Sequence, residues 1–280
     1  MREFTDPDVA ALVDLAVLVD EIALCIADLG AGAASQAPKS ALPLGADGFF
    51  LSIAGVVPRL GLAAAKWASY SPAAPGASGL STSVITVSAV STGEPLAIVT
   101  GMRATHLRTG ATAAAVARRW FPGGVDALVL IGFGPTNRAV LEVLEAIGFA
   151  IGELRIVVRS SSSARAVQEL HPTARVSRDA RSASTGAALA ISATGSTGPV
   201  GDAGLLEPGG AVITLDGLRT WAGYVPADVV DDRGTAGVRP LADAMTSGPV
   251  GRKSVVFDIA GSAVADVALA AQLMERADAE

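Results

Sequence analysis

Val125-Asp126-Ala127-Leu128-Val129-Leu130-Ile131-Gly132-Phe133-Gly134-Pro135-Thr136-Asn137 is an apolar run that ends in two glycines one residue apart. A helical pattern follows at once, with apolar residues at Ala139, Val140, Val143, Leu144 and Ile147. A buried strand, a tight glycine turn and a helix whose free N–H groups face that turn form an anion cradle suited to a dinucleotide pyrophosphate. Gly132, Gly134, Pro135, Thr136 and Asn137 are therefore candidate cofactor contacts. Asn137 stands where the usual fingerprint has its third glycine, so the competing reading is a glycine turn that closes an ordinary α/β unit.

The second strand of such a unit ends near the adenosine ribose. Leu154-Arg155-Ile156-Val157-Val158 reads as that strand and runs into Arg159-Ser160-Ser161-Ser162-Ser163. No carboxylate is present there to grip a ribose 2′-hydroxyl. The Arg159 guanidinium beside a row of hydroxyls, Ser160 first, suits a 2′-phosphate, which favours NADP(H) with NAD(H) as the other option. The serines serve equally well as N-caps of the helix that follows. Further strands at Ala187–Ala193, leading into Thr194-Gly195-Ser196, and at Gly210–Leu215 continue the pattern. Strands joined by helical or loop connections predict an α/β fold with a Rossmann-type, doubly wound parallel sheet.

The 280 residues suffice for one large domain or two small ones. Half the residues are hydrophobic, yet no apolar stretch approaches the roughly 18 residues of a membrane span. Gly45, Asp47, Pro58, Arg59 and Gly61 interrupt the most apolar region, so no membrane partner is expected. The acidic start Met1 to Asp8 is not a secretory signal. Cys25 is the single cysteine, which excludes a disulfide framework or a thiolate metal site within one chain. It lies in a helical apolar pattern and reads as a buried, inert thiol. His106 and His171 are too far apart in sequence to suggest a histidine-rich metal site, so no metal is expected. A net charge of −6 without any basic run argues against nucleic acid as a partner. These features predict a soluble, cytoplasmic protein.

Asp6-Pro7 opens a helix with apolar positions at Val9, Leu12, Val13, Ala16, Val19, Ile22 and Ile26, ending near Gly30. From Gln36 to Thr100 the pattern turns to β, with runs at Phe49–Ile53, Leu62–Trp67, Ser83–Val90 and Pro95–Val99. The stretch 69–81, rich in Pro, Gly, Ser and Ala, reads as a loop near a site. An alanine-rich helix covers Thr109–Trp120, and Pro122-Gly123-Gly124 leads into the nucleotide unit. After Leu215 the chain reads as irregular until Ser254–Asp258, and a helix from Ala263 to Arg276 closes it. The expected organisation is a dinucleotide-binding domain at 123–250 inserted in a discontinuous α+β domain, 1–122 plus 251–280, for substrate binding and dimerisation. The cleft between two such domains is the default place for a substrate.

Thr105-His106-Leu107-Arg108-Thr109-Gly110-Ala111 places an arginine at an expected helix start, where it is slightly unfavourable to the helix dipole. Flanked by the hydroxyls of Thr105 and Thr109, Arg108 is either a grip for a carboxylate or pyrophosphate oxygen, or a surface arginine. Lys66, in the apolar context Leu62 to Trp67, is either snorkelling to solvent or a site cation. Lys39, after Pro38, reads as exposed.

These stretches resemble the ornithine cyclodeaminase/μ-crystallin family. The matches are Lys66, Thr92-Gly93-Glu94-Pro95-Leu96-Ala97, Thr105 to Ala111, Gly132 to Ala139, Ser192-Ala193-Thr194-Gly195-Ser196, and Phe257-Asp258-Ile259-Ala260-Gly261 followed by Asp266. The resemblance implies a homodimer built through the discontinuous domain, a nicotinamide cofactor and a small α-amino or α-imino acid substrate. It implies that Lys66 and Arg108 bind the substrate carboxylate, with Lys39 standing where the family usually has an arginine. Ala193, Thr194, Gly195 and Ala260, with Thr105, Arg108 and Thr109, join the implied cofactor contacts. Two departures stand out. Thr136-Asn137 replaces the family's glutamine-alanine, and Leu215-Asp216-Gly217-Leu218-Arg219-Thr220-Trp221 is a shortened version of the segment whose aspartate handles the proton and amine in cyclodeaminases. Asp216 is either the substitute for that aspartate or a turn residue. The implied activity is reduction of an imine, or oxidation of an amino acid, by hydride transfer at the carbon bearing nitrogen. The alternatives are a cyclodeaminase using bound NAD, and a nucleotide-binding protein without catalysis.

Overall fold

The computed structural model describes residues 1–44, 48–71, 80–249 and 254–279. The chain divides into two compact units, Met1–Thr112 with Ser262–Glu280, and Ala113–Gly261. The boundaries expected at 122/123 and 250/251 fall instead inside the helix Arg103–Trp120 and just before the helix Ala263–Ala279. Gly45, Asp47 and the centre of the loop expected at 69–81 lie outside the described residues. Among the described residues no helix is long and apolar enough to cross a membrane.

The first unit is a seven-stranded sheet backed by helices. Its strands are β1 (Arg2–Phe4), β2 (Ser35–Gln36), β3 (Ser40–Leu44), β4 (Gly48–Val57), β5 (Leu62–Ser71), β6 (Leu80–Ala89) and β7 (Pro95–Thr100). They lie in the order β1-β7-β6-β5-β4-β2, with β3 also on β4, and all neighbours are antiparallel except β1 and β7. Alternation along β5 turns Leu62, Ala64 and Lys66 inward. The strand continues four residues beyond the expected end at Trp67, so Lys66 sits mid-strand, with Ile53 and Ile85 as its register partners. The helices are α1 (Asp6–Leu12), α2 (Leu15–Gly30), α3 (Arg103–Trp120), which continues into the second unit, and α8 (Ala263–Ala279). The single N-terminal helix expected from the apolar pattern is two. The Asp14 carboxylate accepts from the backbone N–H groups of Ala16 (3.0 Å) and Val17 (3.1 Å), capping α2, while Val13 is extended. Gly55 on β4 lets α8 approach closely, since a Cβ there would lie 2.9 Å from that of Ala263.

Helix α3 starts six residues earlier than expected, because its cap comes from a distant part of the chain. The Asp6 carboxylate accepts from Arg103 N (2.8 Å) and Met102 N (3.4 Å). Arg108 therefore occupies the second turn rather than the helix start.

The second unit holds an eight-stranded, all-parallel sheet in the order β10-β9-β8-β11-β13-β17-β15-β16. Its strands are β8 (Val125–Ile131), β9 (Ile151–Val157), β10 (Arg175–Ser177), β11 (Leu189–Ser192), β13 (Ala211–Thr214), β15 (Val229–Asp231), β16 (Arg239–Pro240) and β17 (Val255–Asp258). A short parallel pair, β12 (Gly201–Asp202) and β14 (Trp221–Ala222), lies apart from it. Helices α4 (Pro135–Ala146), α5 (Ser161–Leu170), α6 (Ala180–Ser184) and α7 (Leu241–Ser247) connect the strands. Strand order reverses between β8 and β11, which is where doubly wound sheets bind ligands. Val255–Asp258, expected in the flanking domain, pairs with Ala211–Thr214 and belongs to this sheet. The stretch after Leu215 expected to be irregular contains β15, which lies beside β17.

Replacing Asp6 by Ala removes the remote cap of α3 and is expected to cost about 1 kcal/mol. The urea midpoint should fall at unchanged slope; an unmoved midpoint would contradict the capping role.

Candidate functional site

Three charged side chains meet in the interior of the first unit, each from a different element. Lys66 comes from β5, Arg108 from α3 and Asp266 from α8, and all three are at most 6 % exposed. Lys66 Nζ lies 3.1 Å from Asp266 Oδ1 and 3.0 Å from Oδ2, while Arg108 Nε lies 3.0 Å from Oδ1. The Arg108 contact is close but not aligned as a hydrogen bond. Two cations against one carboxylate leave one positive charge uncompensated within the group. Burying an ion costs several kcal/mol unless a counter-ion and hydrogen bonds replace its water. Burial pulls the Lys66 ammonium down to about 8; Arg108 and, less strongly, Lys39 add to the fall, and Asp266 opposes it.

The hydroxyls on either side of Arg108 are used within the unit. Thr105 Oγ1 donates to Ser83 Oγ on β6 (3.0 Å), and Thr109 Oγ1 donates to the Thr105 carbonyl (2.7 Å). Lys39, between β2 and β3, is exposed and acts on Lys66 through its charge. His106 is half-buried, and burial followed by the Arg108 charge holds its imidazole below the ordinary range.

In the second unit the expected glycine turn is present. Gly132 has φ +82°, and a Cβ there would collide with the Ala193 carbonyl at the end of β11. Gly134 is the N-cap of α4, with no atom within 4 Å of where its Cβ would stand, and Pro135 follows at the first helical position. Asn137 faces back into the turn. Its amide donates to the carbonyls of Ile131 (3.1 Å) and Gly132 (2.7 Å) and it is fully buried, so it stiffens the elbow where a third glycine would have let the helix pack close. Thr136 opens α4 beside it.

At the end of β9, Ser160 is the N-cap of α5, its Oγ accepting from Ser163 N (3.1 Å). Arg159 is exposed, and a second arginine stands beside it. Arg178 donates from Nε to the Arg159 carbonyl and from Nη1 to Ser161 Oγ, both at 3.3 Å. It follows β10, the strand next to β9, a neighbour that only the sheet order reveals.

Asp216 is fully engaged. It accepts from Ser192 Oγ (2.8 Å), Thr194 N and Oγ1 (both 2.6 Å), Thr214 Oγ1 (3.0 Å) and Thr220 Oγ1 (3.1 Å). It thereby ties the loop carrying Thr194 and Gly195 to the end of β13. Ala260 N and Gly261 N donate to the two oxygens of Asp232, both at 2.9 Å. Asp231 and Asp258 stand opposite each other in register at the ends of β15 and β17, both buried, with Arg233 bonded to Asp258. Burial pushes the Asp258 carboxyl above its usual range; Arg233 works against the rise, and Asp232, Asp231 and Asp216 add to it. Asp231 and Asp232 escaped the sequence reading, and Asp258 and Asp266 entered it only as matches to the family with no role given, although Asp266 is conspicuous as a charge within the apolar run 263–270.

The sequence model of the ornithine cyclodeaminase/mu-crystallin family matches residues 5–250. The chain belongs to that family. No match is found among curated proteins. Solved structures similar to it include a Thermococcus litoralis Δ1-pyrroline-2-carboxylate reductase in complex with NADH and L-proline (TM-score 0.84, 18 % identity, covering 100 % of this chain and 98 % of that one). Others are an archaeal alanine dehydrogenase dimer with bound NAD (0.84, 22 %, 100 % and 96 %) and a probable ornithine cyclodeaminase from Bordetella pertussis (0.83, 21 %, 100 % and 97 %). At these identities the likeness is one of fold. The matched residues take in the elbow of β8 and α4 and the part of α3 around Arg108.

A carboxyl held above its ordinary range stabilises the fold below about pH 4 and loses that contribution as pH rises through its raised value. The stability of the wild type relative to Asp258→Asn should therefore fall as pH climbs above about 4, read from urea midpoints. A difference that stays constant or grows would contradict the shift.

Proposed function

We propose that the chain is an NAD(P)H-dependent reductase of small α-imino acids, or in reverse an α-amino acid dehydrogenase, acting at the carbon that bears nitrogen. The observation that carries this reading is the buried pair of cations, Lys66 and Arg108, sharing the single carboxylate of Asp266. A substrate carboxylate supplies the missing negative charge, and a charge-assisted grip fixes the acid's orientation. Lys66 and Arg108 are at most 6 % exposed, which strengthens their attraction for an anion that reaches them. An imine protonated on binding needs little further acid catalysis. Two structures of similar fold, a pyrroline-carboxylate reductase and an alanine dehydrogenase, belong to enzymes of the same chemistry.

The second unit fits a dinucleotide. The left-handed turn at Gly132, the open approach at Gly134 and the N–H end of α4 suit a pyrophosphate. When bound, the nicotinamide supplies the hydride. Gly132, Gly134, Pro135 and Thr136, with Ala193, Thr194, Gly195 and Ala260, are the proposed contacts; Asn137 supports the turn from behind. Arg159 and Arg178 beside Ser161 favour a 2′-phosphate, hence NADP(H), although the similar structures were solved with NAD or NADH. The cyclodeaminase reading asks Asp216 to move a proton and meet an amine. Five accepted hydrogen bonds leave that carboxylate poorly suited to either task, which favours reduction. The outward sheet face, with Trp67 stacked on Phe50 (5.4 Å between centroids) and both Trp67 and Val84 exposed, suits a homodimer.

The test is oxidation of NADPH and NADH with cyclic imino acids and with pyruvate plus amines. Turnover is expected, with kcat/KM falling above pH about 8 as Lys66 loses its proton. Lys66→Met and Arg108→Met should each raise KM for the acid roughly 10- to 100-fold, the loss of one charged hydrogen bond. A coenzyme-bound protein that turns over nothing in the panel overturns the proposal.

A further inference from the structure

Helix α8 is buried almost all round from Ala263 to Ala270, and Asp266 is its one ionisable residue in that stretch. A lone carboxylate there would be strongly destabilising, so its place has to be explained by its partners. Those partners are two cations from β5 and α3, both within 3.1 Å of its oxygens. Among the groups that bear on Lys66, Arg108 and Lys39 are cations and Asp266 is the acid. Arg108 in turn has His106 two residues away on the same helix, and that imidazole is held below its usual range by burial and by Arg108.

Were Asp266 the partner of one cation alone, the second would face it with neither water nor counter-ion. Shared between them, the carboxylate brings two like charges to one point and holds both at fixed bearings. Neutralising both would take a second acid and would leave no pull on an incoming anion.

We propose that Asp266 is a positioning residue, holding the Lys66 ammonium and the Arg108 guanidinium on one carboxylate so that both are charged and aligned for a substrate acid. The purpose of this arrangement rests on the reductase reading; its physical content does not.

The chain has three lysines, Lys39, Lys66 and Lys253, so each is readable by NMR of protein labelled with 13C-lysine, with Lys66→Met assigning the signal. No substrate or coenzyme is needed. The wild-type Lys66 signal should titrate near 8. In Asp266→Asn it should titrate below the wild-type value, because burial and Arg108 then act without the counter-charge, and Asp266→Glu should bring it back toward wild type. In assays, Asp266→Asn should raise KM for the acid about tenfold or more while KM for the coenzyme stays put. The basic limb of kcat/KM should follow the NMR value. A folded Asp266→Asn protein with a lower melting temperature but an unmoved Lys66 titration and KM overturns the proposal and makes Asp266 purely structural. Should Asp266→Asn fail to fold, Arg108→Gln carries the same test. Lys66 then has Asp266 to itself and loses a like charge, so its titration must move above the wild-type value, and an unmoved titration overturns sharing. Failure to reduce imino acids, with the NMR shifts as expected, would refute the enzymatic reading and leave the positioning claim intact.

Discussion

One carboxylate between two buried cations is the constraint on which the first unit depends. Three charges with almost no exposure are tolerable only if their partners are in place before water leaves. That requirement ties together a mid-strand position on β5, the second turn of α3 and the first turn of α8, elements far apart in the chain. The surroundings are correspondingly plain. Ile53 and Ile85 flank Lys66, buried alanines, valines and a leucine make up the rest of the helix around Asp266, and Gly55 allows α8 to come close. The polar group is exacting because so little of it is exposed for water to screen a misplaced charge.

The second unit works by a different principle. Its cradle is made of backbone, with a left-handed glycine at Gly132, a side-chain-free N-cap at Gly134 and the N–H end of α4. Side chains there serve mainly to fix that backbone. Asn137 holds the turn, Asp216 holds the loop after β11, and Asp232 holds the loop after β17. In the proposed reaction, charge recognition belongs to one unit and coenzyme geometry to the other.

What could be read from the sequence was local. The apolar run into Gly132 and Gly134, the strand into Arg159 and the helix after Pro135 are each decided by residues within a dozen positions, and each is present, the strand running over Ile151–Val157 rather than the expected 154–158. The early start of α3 was not legible, because Asp6 caps it from 97 residues away. Nor was Arg178, which reaches Ser161 only because β10 pairs beside β9. The break between α1 and α2 was legible in principle, since Asp14 is a good N-cap, but the continuous apolar pattern outweighed it. Lys66 and Arg108 were readable as isolated cations in odd places. Their common partner was not, because Asp266 lies 200 residues from Lys66 and no spacing rule joins them.

The most direct measurement is calorimetric binding of a small acid and of its uncharged amide, L-proline against L-prolinamide, to the coenzyme-loaded protein. An excess positive charge buried beside Lys66 and Arg108 predicts that the acid binds and the amide does not, at the same ionic strength. Equal binding of the two, or of neither where turnover is seen, would contradict the account.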